Sequence, residues 1–487
     1  MRPSLPVPAA LAILVLCGAL TGVAHAQAFS ANDRVDRIFA EWTKQDSPGC
    51  TLGVVQNGRF IYQRGYGMAN LDYDIPNGPQ LVYYVGSVSK QFAAAAVALL
   101  VLDGRIRLDE DIRTYFPEMP AYQTPVTVRH LVHHTSGLRD IYGLMALGGR
   151  RMEDVFTDSQ ALALIARQQE LNFKPNDEYL YSNSGYFLLG QMVKRVTGKS
   201  LREFADERIF RPLGMTSTHF HDDPGHIMKR RAMSYEPTDA RRTVSGLEEG
   251  GSGGYRISYL QNFDKIGAGG LYTTLDDLLK WDENYYSHKV GADDFQNLVH
   301  TRGVLNRGDT LTYAFGNNVS TYRGLRITEH GGALMGYKAA LLRFPDQRFS
   351  TLLLCNYGPI DPTRLAFAVA EVYLGDKMGP GPSRATPNPV ASRPARAAGT
   401  GTAAVDATLA GTYYSDEVDA AYVVRVDRGR LTLSRPLQED SLVATGDGGY
   451  RAGDLTLRFQ SEPGRAPSAF SVEAGRVRNI RFVRRGA

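Results

Sequence analysis

The sequence predicts an α+β fold: an antiparallel sheet built from both ends of a large domain, flanked by helices around a helical insertion, then a small antiparallel β-barrel or sandwich. Three observations predict it. Strand patterns occur at Cys50–Tyr62 and again at Lys338–Cys355, helical periodicity fills the stretch between them, and short alternating runs return after a segment rich in Pro, Ala and Gly.

The chain has 487 residues, of which 43% are hydrophobic and 22% charged, close to globular averages, so a disordered, fibrous or polytopic membrane protein is a poor fit. A net charge of +4 over this surface is too small for a nucleic-acid groove, and no nucleic-acid partner is expected. Met1–Ala26 reads as an export leader. It holds one basic residue, Arg2, an apolar run from Leu11 to Leu20, and Ala24-His25-Ala26, the small-x-small pattern that a signal peptidase accepts. The apolar run is short for a membrane span, and Leu16 before Cys17 does not suit lipid modification, so no stable membrane anchor is expected after cleavage. The predicted location is periplasmic or secreted.

In the mature chain, Val35, Ile38, Phe39 and Trp42 share one face of a helix over Ala31–Lys44. Asn57-Gly58 between two apolar runs is the strongest short hairpin signal and predicts two antiparallel strands. Helical patterns follow at Ser87–Asp103, Thr127–His134, Ser159–Gln169, Ser184–Thr197 and Thr274–Tyr285. Two further strands flank Pro345-Asp346-Gln347, and Asp361–Leu374 closes the domain as a helix. The predicted organisation is therefore a leader at 1–26, a main domain at 27–375, a linker at 376–404 and a small β domain at 405–487. Runs such as Tyr422-Val-Val-Arg-Val and Leu455-Thr-Leu-Arg-Phe supply the strands of the last unit.

Ser87-Val88-Ser89-Lys90 sets a hydroxyl and an amine three residues apart at the start of a helix, on one face. The residues that follow, Phe92 to Leu102, are apolar on every side, which places that helix in a core. A desolvated amine has a lowered pKa and can take the hydroxyl proton during attack on a carbonyl, while the helix N-terminus favours developing oxyanion charge. The plainer alternative is that Ser87 only caps the helix and Lys90 snorkels to the surface. No other lysine in the chain has a serine three residues before it. Ser252 in Gly250-Gly-Ser-Gly-Gly254 satisfies G-x-S-x-G formally, but it lacks the preceding strand and following helix which that motif requires. His130, His133 and His134 have no intervening acid and fit a helix end, so neither metal nor cofactor is called for.

Three separated signatures give the chain a family resemblance. Tyr83-Tyr-Val-Gly-Ser-Val-Ser-Lys90, Tyr181-Ser182-Asn183 and His330-Gly331-Gly332 resemble, in order and spacing, the motifs of the serine beta-lactamase and penicillin-binding-protein superfamily. The likeness is to the branch with class C beta-lactamases, D-aminopeptidases, DD-carboxypeptidases and esterases. It covers about Phe29 to Leu374 and implies a beta-lactamase/transpeptidase-like fold. The resemblance implies that Ser87 is acylated while Lys90 and Tyr181 relay the proton. Asn183 orients the substrate amide, His330, Gly331 and Gly332 line the opposite wall, and the N–H groups of Ser87 and Ala333 form the oxyanion hole. A phenol beside an ammonium has its anion stabilised, which would make Tyr181 a base at neutral pH.

Many lactamases carry a lysine where this chain has His330, and a mostly neutral imidazole grips a substrate carboxylate less firmly. The expectation is therefore an exported serine hydrolase acting through an acyl-enzyme on peptides with D-residues, small esters or amides, some of them cell-wall derived, rather than an efficient beta-lactamase. The alternative is a penicillin-binding-type receptor that acylates without turnover or only binds cell-wall fragments. The C-terminal unit resembles the lipocalin-like appendages of D-aminopeptidase relatives. The family sheet sets its first strand beside its last, so Cys50 and Cys355 could face each other, either as a disulfide or as two small buried residues.

Overall fold

The computed structural model describes residues 30–242, 248–249, 253–258, 266–381, 406–460 and 465–486. The leader reading at 1–26, Ser252 and most of the predicted linker lie outside these residues.

Six antiparallel strands form the central sheet, in the order Asn318–Tyr322, Leu325–Leu334, Tyr337–Phe344, Phe349–Cys355, Cys50–Gln56 and Arg59–Tyr66. Its first and last parts in sequence meet in one ladder running from Cys50↔Cys355 to Gln56↔Phe349. Both strands of that ladder are almost wholly buried, which accounts for their unbroken apolar runs. Asn57 (φ 51°) and Gly58 (φ 75°) both adopt positive φ, as a two-residue hairpin turn with matching twist requires. Cys50 and Cys355 are disulfide-bonded, which decides between the two readings of these residues.

Both faces of the sheet are covered. Leu353 and Cys355 point into a cluster with Leu365 and Val369 of helix Pro362–Leu374 and with Val35 and Phe39 near the N-terminus. Leu352 and Leu354, one residue out of phase, point into the larger cluster that holds the helical insertion. The N-terminal helix is shorter than predicted. It runs Ala31–Ile38, opened by a capping box between Ser30 and Asp33, and a separate 3-10 turn at Ala40–Trp42 turns Trp42 into the core.

The strands after residue 406 form one nine-stranded antiparallel sheet. Its two edges, Gln438–Ser441 and Val443–Ala444, follow each other directly in the chain, so the sheet curls into a nearly closed barrel rather than a sandwich. It sits against the helical insertion. Tyr422 Oη donates to Leu147 O at 3.0 Å, and the buried Arg139 donates to the carbonyls of Arg478 (2.8 Å) and Asn479 (2.9 Å) and to Glu417 (2.6 Å). No described helix is long and apolar enough to cross a membrane.

Candidate active site

Ser87 lies in a 3-10 turn, Gly86–Val88, immediately before the helix Ser89–Leu102, not inside the helix as the periodicity predicts. Gly86 has φ 51°, and a Cβ there would stand 2.5 Å from the backbone nitrogen of Ala333, so only glycine allows this approach. Ser89 anchors the turn: its hydroxyl donates to Gly86 O (2.6 Å) and accepts from Leu271 N–H (3.1 Å). No side chain caps the helix, so Ser87 is left to face the cleft.

Lys90, one turn into the helix, is fully buried. Its Nζ donates to Ser87 Oγ (3.1 Å), Asn183 Oδ1 (2.8 Å) and Ala268 O (2.6 Å). Ser87 is itself a hydroxyl donor, so these three partners suit an ammonium donating three bonds and equally a neutral amine that donates to Asn183 and Ala268 and accepts from Ser87 O–H.

Asn183 opens the helix Asn183–Thr197 and is buried. Asp140 holds it, accepting from its backbone N–H (2.8 Å) and its Nδ2 (2.9 Å), so the carboxamide bridges Asp140 and Lys90. In this arrangement the carboxamide fixes the lysine. Asp140 is itself buried and accepts from Tyr142 N–H as the N-cap of helix Ile141–Leu147.

The ring of Tyr181 lies beside the lysine, with Nζ 4.8 Å from its centroid. Its hydroxyl is buried, and although Ser87 Oγ lies near enough to lower the phenol pKa, no hydrogen bond meets strict geometry. Burial is the largest influence and pushes that pKa well up, with Ser87 and Arg476 pulling the other way. Desolvation outweighs the pull of Ser87 and Arg476, which favours Tyr181 as a neutral phenol. His134 packs on this ring at 4.2 Å between centroids, and its Nδ1 accepts from Ser182 N–H (3.1 Å).

Across the cleft, His330 lies in strand Leu325–Leu334, its ring 6.2 Å from that of Tyr181. It is buried and hydrogen-bonded through Nε2 to Tyr313 Oη (3.0 Å). Burial first and the Lys90 charge second pull its pKa down to about 4, so it is neutral at physiological pH. Gly331 follows it, half-buried, and a Cβ on Gly332 would stand 2.0 Å from Val85 O and 3.1 Å from Ser87 N. The absence of that Cβ lets the strand bring Ala333 against the Ser87 turn, with two backbone nitrogens near one point. This is the close packing an oxyanion hole needs.

All the residues singled out in the three signatures thus converge on one cleft. The other histidines diverge: His130 caps its own helix at Thr127, while His133 packs on Phe315. Sequence reading missed two contributors. Asp140 carries only the local signal of a helix N-cap, and Arg476, 3.3 Å from Asp140 through Nη2 and 5.5 Å from the Tyr181 centroid, arrives from the C-terminal sheet with no motif to announce it.

A serine in a 3-10 turn and a buried lysine on the helix after it, a tyrosine and an asparagine at the start of the later helix Asn183–Thr197, and a glycine-rich strand edge bring together the residue types that serine-lysine acyl transfer uses. The beta-lactamase family profile matches residues 35–374, and the chain belongs to that family. It is 27% identical over 310 residues to a D-aminopeptidase of Gluconobacter oxydans (strain 621H), covering 64% of this chain and 56% of the relative. It is 28% identical over 330 residues to a D-aminopeptidase of Brucella anthropi, covering 67% and 59% respectively. The chain thus spans less than two thirds of the length of these relatives. Among solved structures, it resembles an octameric penicillin-binding protein homologue from Pyrococcus abyssi with a TM-score of 0.60 at 20% identity, over 93% of this chain and 99% of that one. A D-amino acid amidase from Ochrobactrum anthropi SV3 superposes with a TM-score of 0.58 at 22% identity, over 71% of this chain and 99% of that one. At these identities the structural likeness speaks to fold.

Proposed function

We propose that this protein is an exported serine hydrolase that works through an acyl-enzyme on peptides or amides containing D-residues. One observation carries the reading: a fully buried lysine donates a 3.1 Å hydrogen bond to the half-buried Ser87 hydroxyl at the mouth of the cleft. Ser87 Oγ attacks the substrate carbonyl, and its proton passes to the Lys90–Tyr181 pair. The pair acts as base in the form whose amine is neutral and accepts from Ser87 O–H. Because the two groups share the proton, the pH profile reports a property of the pair. The N–H groups of Ser87 and Ala333 receive the oxyanion. Tyr181 then returns the proton to the leaving amine, and water hydrolyses the ester along the same path.

The D-residue preference is supported by the D-aminopeptidase relatives. A neutral, buried His330 on the far wall supports peptidase or esterase work over efficient antibiotic hydrolysis. Export is supported by the Met1–Ala26 pattern and by the Cys50–Cys355 bond, which suits an oxidising compartment. The test combines a fluorophosphonate label with turnover of D-amino-acid amides, D-residue peptides and p-nitrophenyl esters. Ser87→Ala is expected to abolish labelling and turnover with an unchanged thermal midpoint. Label on Ser252, or a burst of acylation with no turnover of any substrate, would overturn the proposal.

A further inference from the structure

The C-terminal sheet reaches the cleft through one hairpin, Ala469–Ala474 and Val477–Arg484, whose two-residue tip is Gly475-Arg476. The tip is fastened on both sides by one buried side chain: Asn172 Nδ2 donates to Arg476 O (3.0 Å), and Asn172 Oδ1 accepts from Arg478 N–H (2.8 Å). Next to it, Arg139 grips the carbonyls of Arg478 and Asn479. Adjacent residues therefore have complementary tasks, Arg139 holding the hairpin and Asp140 holding Asn183.

The side chain of Arg476 leans into the site. Its Nη2 lies 3.3 Å from Asp140 Oδ1, its Cζ lies 5.5 Å from the Tyr181 ring centroid, and 30% of the side chain is exposed while Asp140 is 2% exposed. A guanidinium offers five N–H donors in a planar fork, and a buried carboxylate engaging one nitrogen orients the fork without using it up. The neighbouring charges add to this. Lys90 is fully buried and committed to protein acceptors, while His330 is held by Tyr313. Of Lys90, His330 and Arg476, Arg476 is the one whose side chain reaches solvent.

We propose that Arg476 is a specificity-determining residue, its guanidinium binding the carboxylate of an anionic peptide substrate in a cleft whose third motif presents His330. This rests on the acyl-enzyme reading of the site and names the substrates it prefers, peptides with a free carboxylate close to the scissile bond over the corresponding amides. Arginine suits this task because its fork donates to both carboxylate oxygens at once.

The test uses the full chain and one acylated di-D-alanine peptide prepared as the free acid and as its C-terminal amide. The readout is the ratio of kcat/KM for acid over amide. In Arg476→Gln this ratio is expected to fall ten- to hundredfold, chiefly through KM; Arg476→Lys recovers part of it, and Arg476→Glu lowers it further. An arginine that only props the hairpin would depress both substrates together, and an unchanged ratio across the variants overturns the proposal. A second measurement needs no chemistry. Ser87→Ala protein titrated calorimetrically with N-acetyl-D-alanine and with its amide is expected to bind the acid at least tenfold more tightly, a preference lost when Arg476→Gln is added. Equal binding of acid and amide, with Ser87 labelling intact in the unmutated chain, refutes the role of Arg476 alone. Loss of Ser87 labelling with the acid preference retained refutes the acyl-enzyme reading and leaves the arginine site standing.

Discussion

Asp140→Ala tests the hydrogen-bonded rail that fixes Lys90. The carboxylate accepts two bonds from Asn183, at 2.8 and 2.9 Å, and one from Tyr142 N–H as a helix cap, in a position only 2% exposed. A bond to an ionised group contributes roughly 1.5–3 kcal/mol and a cap about 1 kcal/mol, so the plain sum is about 4–7 kcal/mol. Water entering the vacated space restores some of this, and the expected loss is about 4 kcal/mol, a large share of the roughly 5–15 kcal/mol that holds a typical fold. Urea unfolding followed by tryptophan fluorescence reads it cleanly, because both tryptophans, Trp42 and Trp281, lie within the family-matched region. Without its anchor the Asn183 carboxamide rotates, Lys90 loses a fixed acceptor, and kcat/KM is expected to fall about a hundredfold or more, a loss of roughly 3 kcal/mol in transition-state stabilisation. Asp140→Asn retains one acceptor oxygen and is expected to show about half the stability loss. A variant within about 1 kcal/mol of the parent that also keeps its activity would refute the rail.

Three further outcomes follow from the same coordinates. Arg139→Met leaves Glu417 and the carbonyls of Arg478 and Asn479 without their buried partner, and a broken buried ion pair costs about 3–5 kcal/mol; limited proteolysis should then release the piece after residue 406 much faster, and unchanged cleavage would count against the clamp. Burial holds His133 and His330 at pKa values of about 4, below the ordinary value near 6.5. The unfolded chain binds protons that the folded one refuses between those limits, so stability is complete above about pH 6.5 and falls as pH drops toward 4, by on the order of 2 kcal/mol for each histidine at pH 5; a flat urea midpoint over this range contradicts it. Replacing Cys50 and Cys355 by alanine opens a loop of sequence separation 305, for which chain entropy gives a ceiling of about 6 kcal/mol and experience about 2–4 kcal/mol. Thiol titration of unfolded, unreduced chain lacking 1–26 should find neither cysteine free, and two free thiols would refute the bond.

The parts that were legible in the sequence are those set by short-range rules. Asn57-Gly58 demands positive φ twice and so declares its hairpin, and an all-apolar helix after Lys90 declares its own burial. Ser87, Lys90, Tyr181, Asn183 and His330 could be found because each sits in a local pattern. The anchoring of Lys90 was not legible, since Ala268 O and Asn183 Oδ1 arrive from distant segments to meet it. Burial of the Tyr181 hydroxyl, which overrides the nearby charge, is likewise a property of assembled packing. Arg476 lies nearly four hundred residues from Ser87 in a two-residue turn of no special composition, and only docking of the C-terminal sheet reveals it.

The bond between Cys50 and Cys355 makes the chain between them a covalent ring, and Ser87, Lys90, Asp140, Tyr181, Asn183 and His330 all lie on it. A protease that nicks this ring once leaves a single molecule, which migrates as two fragments only after reduction. A single cut in a surface loop of the ring thus keeps these six residues tethered to one another. Arg476 lies on the tail outside the ring, so the same kind of cut near residue 406 would shed the arginine and leave the serine behind.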